Sequence, residues 1–353
     1  MNAPLKILLV GDVMLGRQVN DRLRQESPEY PWGDTLPLFL KADWRACNLE
    51  CVLSDHGVPW GRSPKEFHLR SDAANLAALR AAHIDAVSLA NNHSLDFNYR
   101  GMLEMLKLLE SGGIASSGLG GHGQAASQWT VSLAHGLRIG FLAFTDNEPT
   151  WEAGDEHPGV FYVPVDKPDH RTAHLLQLVA QARSEVDFLI VSAHWGGNWG
   201  CYPPPSHTRL AHDLARAGAS VVFGHSPHVC RGIEVFEGAV ILYSTGDFVD
   251  DYAVDPIEHN DRSWAFELHL EHSQVRSLHL HPIEIVACQA RRAQHDVSLV
   301  MIEGMQELCR PFGTVSTPSI HPPGLVIDVG LNSSNHRRSR EPIAPPIPIP
   351  LPL

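Results

Sequence analysis

Short β-branched and apolar runs alternate along most of the chain with helix-length amphipathic stretches, and this alternation predicts an α/β layer fold as far as about Pro282. Residues 5–10 read as the first strand. Ser71 reads as the N-cap of a helix to Ala82, with Ala73, Leu76, Ala77, Leu79 and Ala81 on one apolar face, and residues 85–90 read as the strand after it. Residues 99–111 form a helix whose Met102, Leu103, Met105, Leu106, Leu108 and Leu109 belong to the core, stopped by Gly112 and Gly113. Residues 129–133 and 137–143 pair as a hairpin about a His135-Gly136 turn. Helices are expected at 169–184 and 206–217, and strands at 186–192, 221–223, 240–243, 264–270 and 275–280.

Beyond Ile283 the pattern thins to one helix, 296–309, and one strand, 324–329, expected to pack as a lid or flank. From residue 332 repeated proline removes backbone donors and fixes φ, so this tail is assigned to disorder or polyproline II. The expected organisation is a main domain over 1–285, a flanking segment over 286–331 and the tail over 332–353.

Composition narrows the function. The chain has 353 residues, 43% of them hydrophobic, which is enough for a full core. Its 27 Lys and Arg against 40 Asp and Glu give a formal charge of −13, which repels a phosphate backbone and argues against nucleic-acid binding, while leaving the fold able to hold cations. No apolar run approaches the roughly 20 residues of a membrane span. Lys6 alone precedes the first apolar run, and no signal-type cleavage site follows it, so the expected compartment is the cytoplasm. Six scattered cysteines without a CxxC fit reduced thiols better than a disulfide framework.

The polar residues that carry chemistry cluster just after expected strands, where open α/β sheets place their sites. They are GDVMLGR at 11–17, Asn48-Leu49-Glu50, ANNHSLD at 90–96, AHWG at 193–196, GHSPH at 224–228 and STGDFVDD at 244–251. Asp, Glu, Asn and His are hard or borderline ligands that suit Mn, Fe, Zn or Mg, and their recurrence at six strand ends points to a metal centre. Any one of them alone is as well explained by a turn, a cap or a packing histidine. His122, His135, His170, His174, His269, His272 and His281 are read in that way.

In order and wording, GDVMLGR, CNLE, LANNHSLD, SAHWG, GHSPHV and YSTGDF resemble the CapA family of poly-γ-glutamate capsule synthesis proteins, over about residues 7–285. That family's fold is similar to the calcineurin-like metallophosphoesterases, so the resemblance implies a four-layer α-β-β-α sandwich of two mixed sheets with metal at the strand ends. Residue by residue, it implies that Asp12 ligates a first ion, Glu50 bridges and Asn92 ligates a second. His194, His225 and His228 complete the shell, and His93 acts as general acid, oriented by Asp96. The expected cofactor is one or two divalent ions, Mn, Fe or Zn.

Two departures from the phosphoesterase pattern matter. Met14 stands where Asp-x-His would place a ligating histidine, and a thioether serves a hard ion poorly, so the first metal position is expected to be depleted. His225 and His228 are spaced His-x-x-His in place of His-x-His, which makes His228 the firmer ligand. Asp247 either supplies a missing ligand or shapes the turn at Gly246. Arg17 and Lys65 are read as anion-binding groups at the rim, with plain solvation as the alternative.

The leading expectation is a metal-dependent hydrolase acting on a phosphoester or another small acidic substrate. The rival is an accessory protein that binds a poly-γ-glutamate or other polyanionic chain without turning it over. A metal-free interaction module is the third reading.

Overall fold

The computed structural model describes residues 4–336, in which two β-sheets lie face to face between two layers of helices. This is the four-layer mixed arrangement expected. The ten-stranded sheet runs, edge to edge, Thr317–Ile320, Pro323–Asp328, Gln274–Val286, Arg262–Glu271, Leu5–Val13, Trp44–Leu49, Ala86–Ser88 and Ala115–Ser117. Asp247–Val249 also pairs with Leu5–Val13, and Gln289–Arg292 with Gln274–Val286. The six-stranded sheet runs Ile233–Phe236, Ala239–Leu242, Val221–His225, Phe188–His194, Leu137–Thr145 and Thr130–Ala134.

The apolar residues of the first strand serve two cores because successive side chains alternate across a sheet. Ile7 and Leu9 enter the core between the sheets, with Phe141, Ile190 and Phe223 from the second sheet, while Leu8 and Val10 meet the helices outside. A third core joins the far face of the six-stranded sheet to the helices His170–Glu185 and Pro205–Ala217. In the helix Asn98–Ser111 the helical period buries Met102, Met105 and Leu109, but Leu103 is exposed, so the expected core stripe is narrower than its apolar content.

Three expectations are corrected. Ser71 does not cap a helix: it lies in the short strand Arg70–Ser71, its hydroxyl donates to Asn20 Oδ1 (3.2 Å) and accepts from Asn75 Nδ2 (2.8 Å), and the regular helix starts only at Leu76. The segment after 285 is no lid. Its strands extend the ten-stranded sheet, and the helix His295–Cys309 buries Met301, Ile302, Met305 and Cys309 in the core between the sheets. The expected tail boundary at 332 falls inside the helix Val329–His336, where Asn332 is buried and exchanges hydrogen bonds with the Val315 backbone. The rest of the expected tail, 337–353, lies outside the described residues.

All six cysteines are free thiols. No helix among the described residues is long and apolar enough to cross a membrane.

Candidate metal centre

The expected strands end short of the site, and the observed ones carry it. Asp12, His194 and His225 are residues of their strands, so sheet hydrogen bonding fixes the backbone of each. Asp247 is brought beside Asp12 by a close approach of two glycines. The Asp12 amide donates to Gly246 O at 2.9 Å, a Cβ on Gly11 would sit 1.9 Å from that same oxygen, and Gly246 holds φ +65. The result is a parallel register that sets Asp12 opposite both Asp247 and Asn48. After His225 the chain turns through left-handed backbone at Ser226 (φ +96) and His228 (φ +60), costly for residues that carry a Cβ.

Asp12, Glu50, His228 and Asp247 each offer one ligand atom to a group in which all four atoms lie within 4.8 Å of one another. His228 Nδ1 is 2.8 Å from Asp247 Oδ1. Asp12, Glu50 and Asp247 are almost wholly buried, yet Asp12 Oδ2, both Glu50 oxygens and Asp247 Oδ2 have no hydrogen-bond partner. Burial, with repulsion from Asp247, pushes Asp12 up to about 7, and burial with repulsion from Asp12 drives Glu50 well above the carboxylate range. Burial alone would lower His228, but the attraction of Asp247, Glu50 and Asp12 outweighs it and holds the imidazole well above its ordinary value. Three crowded carboxylates with unpaired oxygens and one imidazole are a donor set that a divalent cation fits, since its charge offsets their repulsion and its coordination fills their lone pairs.

Asn92 and His194 stand beside this group as a pair, with His194 Nε2 3.0 Å from Asn92 Oδ1. Burial, reinforced by His225, His228 and His93, keeps His194 well below its ordinary value and so neutral, the form in which imidazole ligates. His225 is placed differently from the ligand expected of it. Its Nε2 is 2.9 Å from Ser192 Oγ, and its Nδ1 is 3.2 Å from Thr245 Oγ1 and 3.5 Å from Asp12 Oδ1, so both nitrogens are engaged and the ring braces Asp12. Met14, in the position of the phosphoesterase histidine, is buried in the core beneath the helices, and its sulfur accepts from the Gly16 amide.

His93 Nδ1 lies 2.6 Å from Asp96 Oδ2, and its Nε2 lies 3.9 Å from Glu50 Oε1, at the edge of the carboxylate group. Lys65 is not at the rim. Its side chain is 7% exposed, its ammonium donates to the Asn92 carbonyl at 2.6 Å, and it pairs with Asp96 (3.4 Å) and Glu148 (3.2 Å) beneath the Trp151 ring. Arg17 is half exposed and pairs with Asp251 at 3.3 Å.

Two asparagines inside the same motifs gain a role only in the structure. Asn48 Nδ2 donates to Asp12 Oδ1 (2.8 Å) and lies 3.4 Å from His194 Nδ1, while Asn91 donates to Asn48 Oδ1 (3.0 Å) and accepts from the His93 amide (3.0 Å). The only sequence signal for them is adjacency to Glu50 and to Asn92-His93.

Known proteins resemble the chain in sequence and in fold. Residues 6–252 match the family described as Bacterial capsule synthesis protein PGA_cap. A Mycobacterium tuberculosis protein named "Probable polyglutamine synthesis accessory protein" is 30% identical, over 87% of this chain and 92% of its own length. The "PGA biosynthesis protein CapA" of Bacillus subtilis is 29% identical over 70% of this chain and 63% of its own, and the "Capsule biosynthesis protein CapA" of Bacillus anthracis is 27% identical over 71% and 61%. A hypothetical protein from Thermus thermophilus shares the fold, with a TM-score of 0.50 and 18% identity over 80% of this chain and all of that one. The family match spans all six site motifs, the last of which ends at Asp251, and the chain belongs to the bacterial capsule synthesis protein PGA_cap family.

Proposed function

We propose that this protein is a divalent-metal-dependent hydrolase of the capsule synthesis family, acting on a phosphoester or a related small acidic substrate. The observation that carries the reading is the set of buried carboxylate oxygens without partners on Asp12, Glu50 and Asp247, gathered round His228 with the His93–Asp96 pair at its edge. Asp12, Glu50, Asp247 and His228 are the residues that would hold an ion, with Asn92 and His194 beside them for a second. A bound divalent ion supplies Lewis-acid charge that polarises an oxygen and eases loss of a proton from water near neutrality.

The chain's own residues supply the rest. Asp96 accepts from His93 Nδ1, which fixes the ring and leaves Nε2 as the nitrogen facing the site. Protonated there, His93 gives a leaving oxygen its proton, a step worth roughly 10²- to 10⁴-fold in rate. Lys65 holds the free oxygen of Asp96 and the Asn92 carbonyl, so the Asn92-His93 segment is fixed from behind.

The second reading is an accessory protein that uses the same cleft to bind a polyanionic chain without turnover. It is favoured by the name of the mycobacterial relative and by Met14 in place of a ligating histidine. A panel of phosphomonoesters and diesters assayed with added Mn²⁺ decides between them. Turnover abolished by a chelator supports the hydrolase, and bound metal without turnover on any ester supports the binder.

A further inference from the structure

Two cationic side chains flank the metal centre, and the chain uses them differently. Lys65 is spent on the Asn92 carbonyl, Asp96 and Glu148. Arg17 is not. Its side chain is 40% exposed, its Nε lies 3.3 Å from Asp251 Oδ2, and among the described residues no hydrogen bond takes any of its N–H groups. The ion pair at Nε leaves the donors on Nη1 and Nη2 uncommitted.

Three features place this guanidinium. Its Cζ is 6.0 Å from the Phe67 ring centroid and 5.9 Å from that of Tyr252, so two aromatic rings approach it. Asp251, whose side chain is 1% exposed and whose Oδ2 also accepts from the Gln18 amide at 3.0 Å, anchors it at Nε. The Arg17 backbone is left-handed, with φ +50, a conformation that glycine adopts freely and a residue with a Cβ adopts only at a cost. Solvation explains an exposed arginine, but it explains neither the strained backbone nor the two rings. Tyr252 meets His228 edge-on at 5.4 Å between centroids, which puts the guanidinium one ring away from the metal centre. The patch is open to a ligand, since Phe67 is 54% exposed and Tyr252 only half-buried.

A planar fork of N–H donors matches the paired oxygens of a carboxylate or a phosphate. In a chain of formal charge −13, an anionic ligand is held by local positive charge, and an ion at the centre together with Arg17 supplies it at two points. We propose that Arg17, set against Phe67 and Tyr252, clamps a second oxyanion of a ligand whose first anionic group binds at the metal centre, so that the ligand is a dianion with its charges at two ends. The inference rests on the metal centre of the proposed function, whether that centre turns the ligand over or only binds it.

The test titrates the full chain, supplied with Mn²⁺, by calorimetry with ω-phosphonoalkanoates from propionate to octanoate and with bisphosphonates of the same lengths. Alkylphosphonates of equal length, which lack the second anion, are the reference. At least one dianion is expected to bind at least about tenfold tighter than its alkyl counterpart, and the series with the larger gain identifies the second group as carboxylate or phosphate. That gain should fall to about twofold or less in Arg17→Gln, and most of it should go in Arg17→Lys, which keeps the charge and loses the fork. Phe67→Ala, at an exposed ring, is the independent variant and should shrink the gain as well. Alkylphosphonate binding with no gain for any dianion overturns the clamp and leaves the metal centre standing. Binding of no phosphonate at all overturns the clamp and counts against the centre as an anion site. A gain undiminished in Arg17→Gln or Arg17→Lys also overturns the proposal, whereas an Arg17-dependent gain in a protein that turns over no ester upholds it and favours the binding reading of the centre.

Discussion

Asn92 and His93 are neighbours in sequence with different partners, and their roles are separable. Asn92 faces His194, whereas His93 is tied to Asp96 and reaches the edge of the carboxylate group. His93→Ala is therefore expected to keep its metal and lose roughly 10²- to 10⁴-fold in rate on alkyl esters, with a smaller loss on nitrophenyl esters, whose leaving groups need no proton. Equal losses on both would remove His93 from the acid role. Lys65→Met removes the ion-pair partner of the buried Asp96 and strips the donor from the Asn92 carbonyl, and should cost about 1–3 kcal/mol, read as a lower urea midpoint. An unchanged midpoint would mean those contacts contribute nothing. At this scale the residue types of the candidate site were legible because Asp, Glu, Asn and His recur at strand ends. The burial of Lys65 was not, since nothing in its neighbours along the chain separates a rim lysine from one drawn beneath Trp151 by a distant segment. The engagement of His225 was equally hidden, because its nitrogens are occupied by Ser192, on another strand, and Thr245, in the loop before Asp247.

Between elements, the approach of the first strand to the Gly246 loop decides whether Asp12 and Asp247 meet. Gly11→Ala forces a Cβ against Gly246 O, so it should destabilise the fold by at least about 1–3 kcal/mol and weaken metal binding in the folded fraction. Normal stability and metal affinity would show that the loop yields freely. The outer face of the ten-stranded sheet carries a second electrostatic feature. Burial pushes Glu267 up, but hydrogen bonds from His269 and Lys6, with His281 3.8 Å away, outweigh it and hold the carboxyl well below its ordinary range. A carboxylate depressed in the folded state stabilises above its unfolded pKa, and that contribution is lost as pH falls. Glu267→Gln should thus flatten the loss of stability below about pH 4 and leave a steeper curve only in the parent. Alternation of apolar and polar residues made most strands and helices legible, including the 130–145 hairpin. It could not show that Ser71 is consumed by Asn20 and Asn75, because a capping residue and a buried network residue look alike in sequence.

For the molecule as a whole, the layer order followed from the alternation together with the CapA resemblance, but the C-terminal part did not. Once proline dilutes the pattern, a strand that adds to an edge and a flanking strand read the same, and only the sheet register distinguishes them. That difference is measurable. Ending the chain after Leu331 removes Asn332 and its hydrogen bonds to Val315 and Asp328, whereas ending it after His336 keeps them, so the shorter form should be less stable by about 1–3 kcal/mol. Equal midpoints would put the structural boundary back at 331. The central claim is that the strand ends of the two sheets converge on a metal centre, and metal content after exhaustive dialysis tests it most directly. Elemental analysis of the parent should find about one or two equivalents of Mn, Fe or Zn per chain, and folded Glu50→Gln and Asp247→Asn proteins should bind at least about tenfold more weakly. A parent protein that retains and rebinds no divalent ion, or variants that hold it as tightly, would contradict the account.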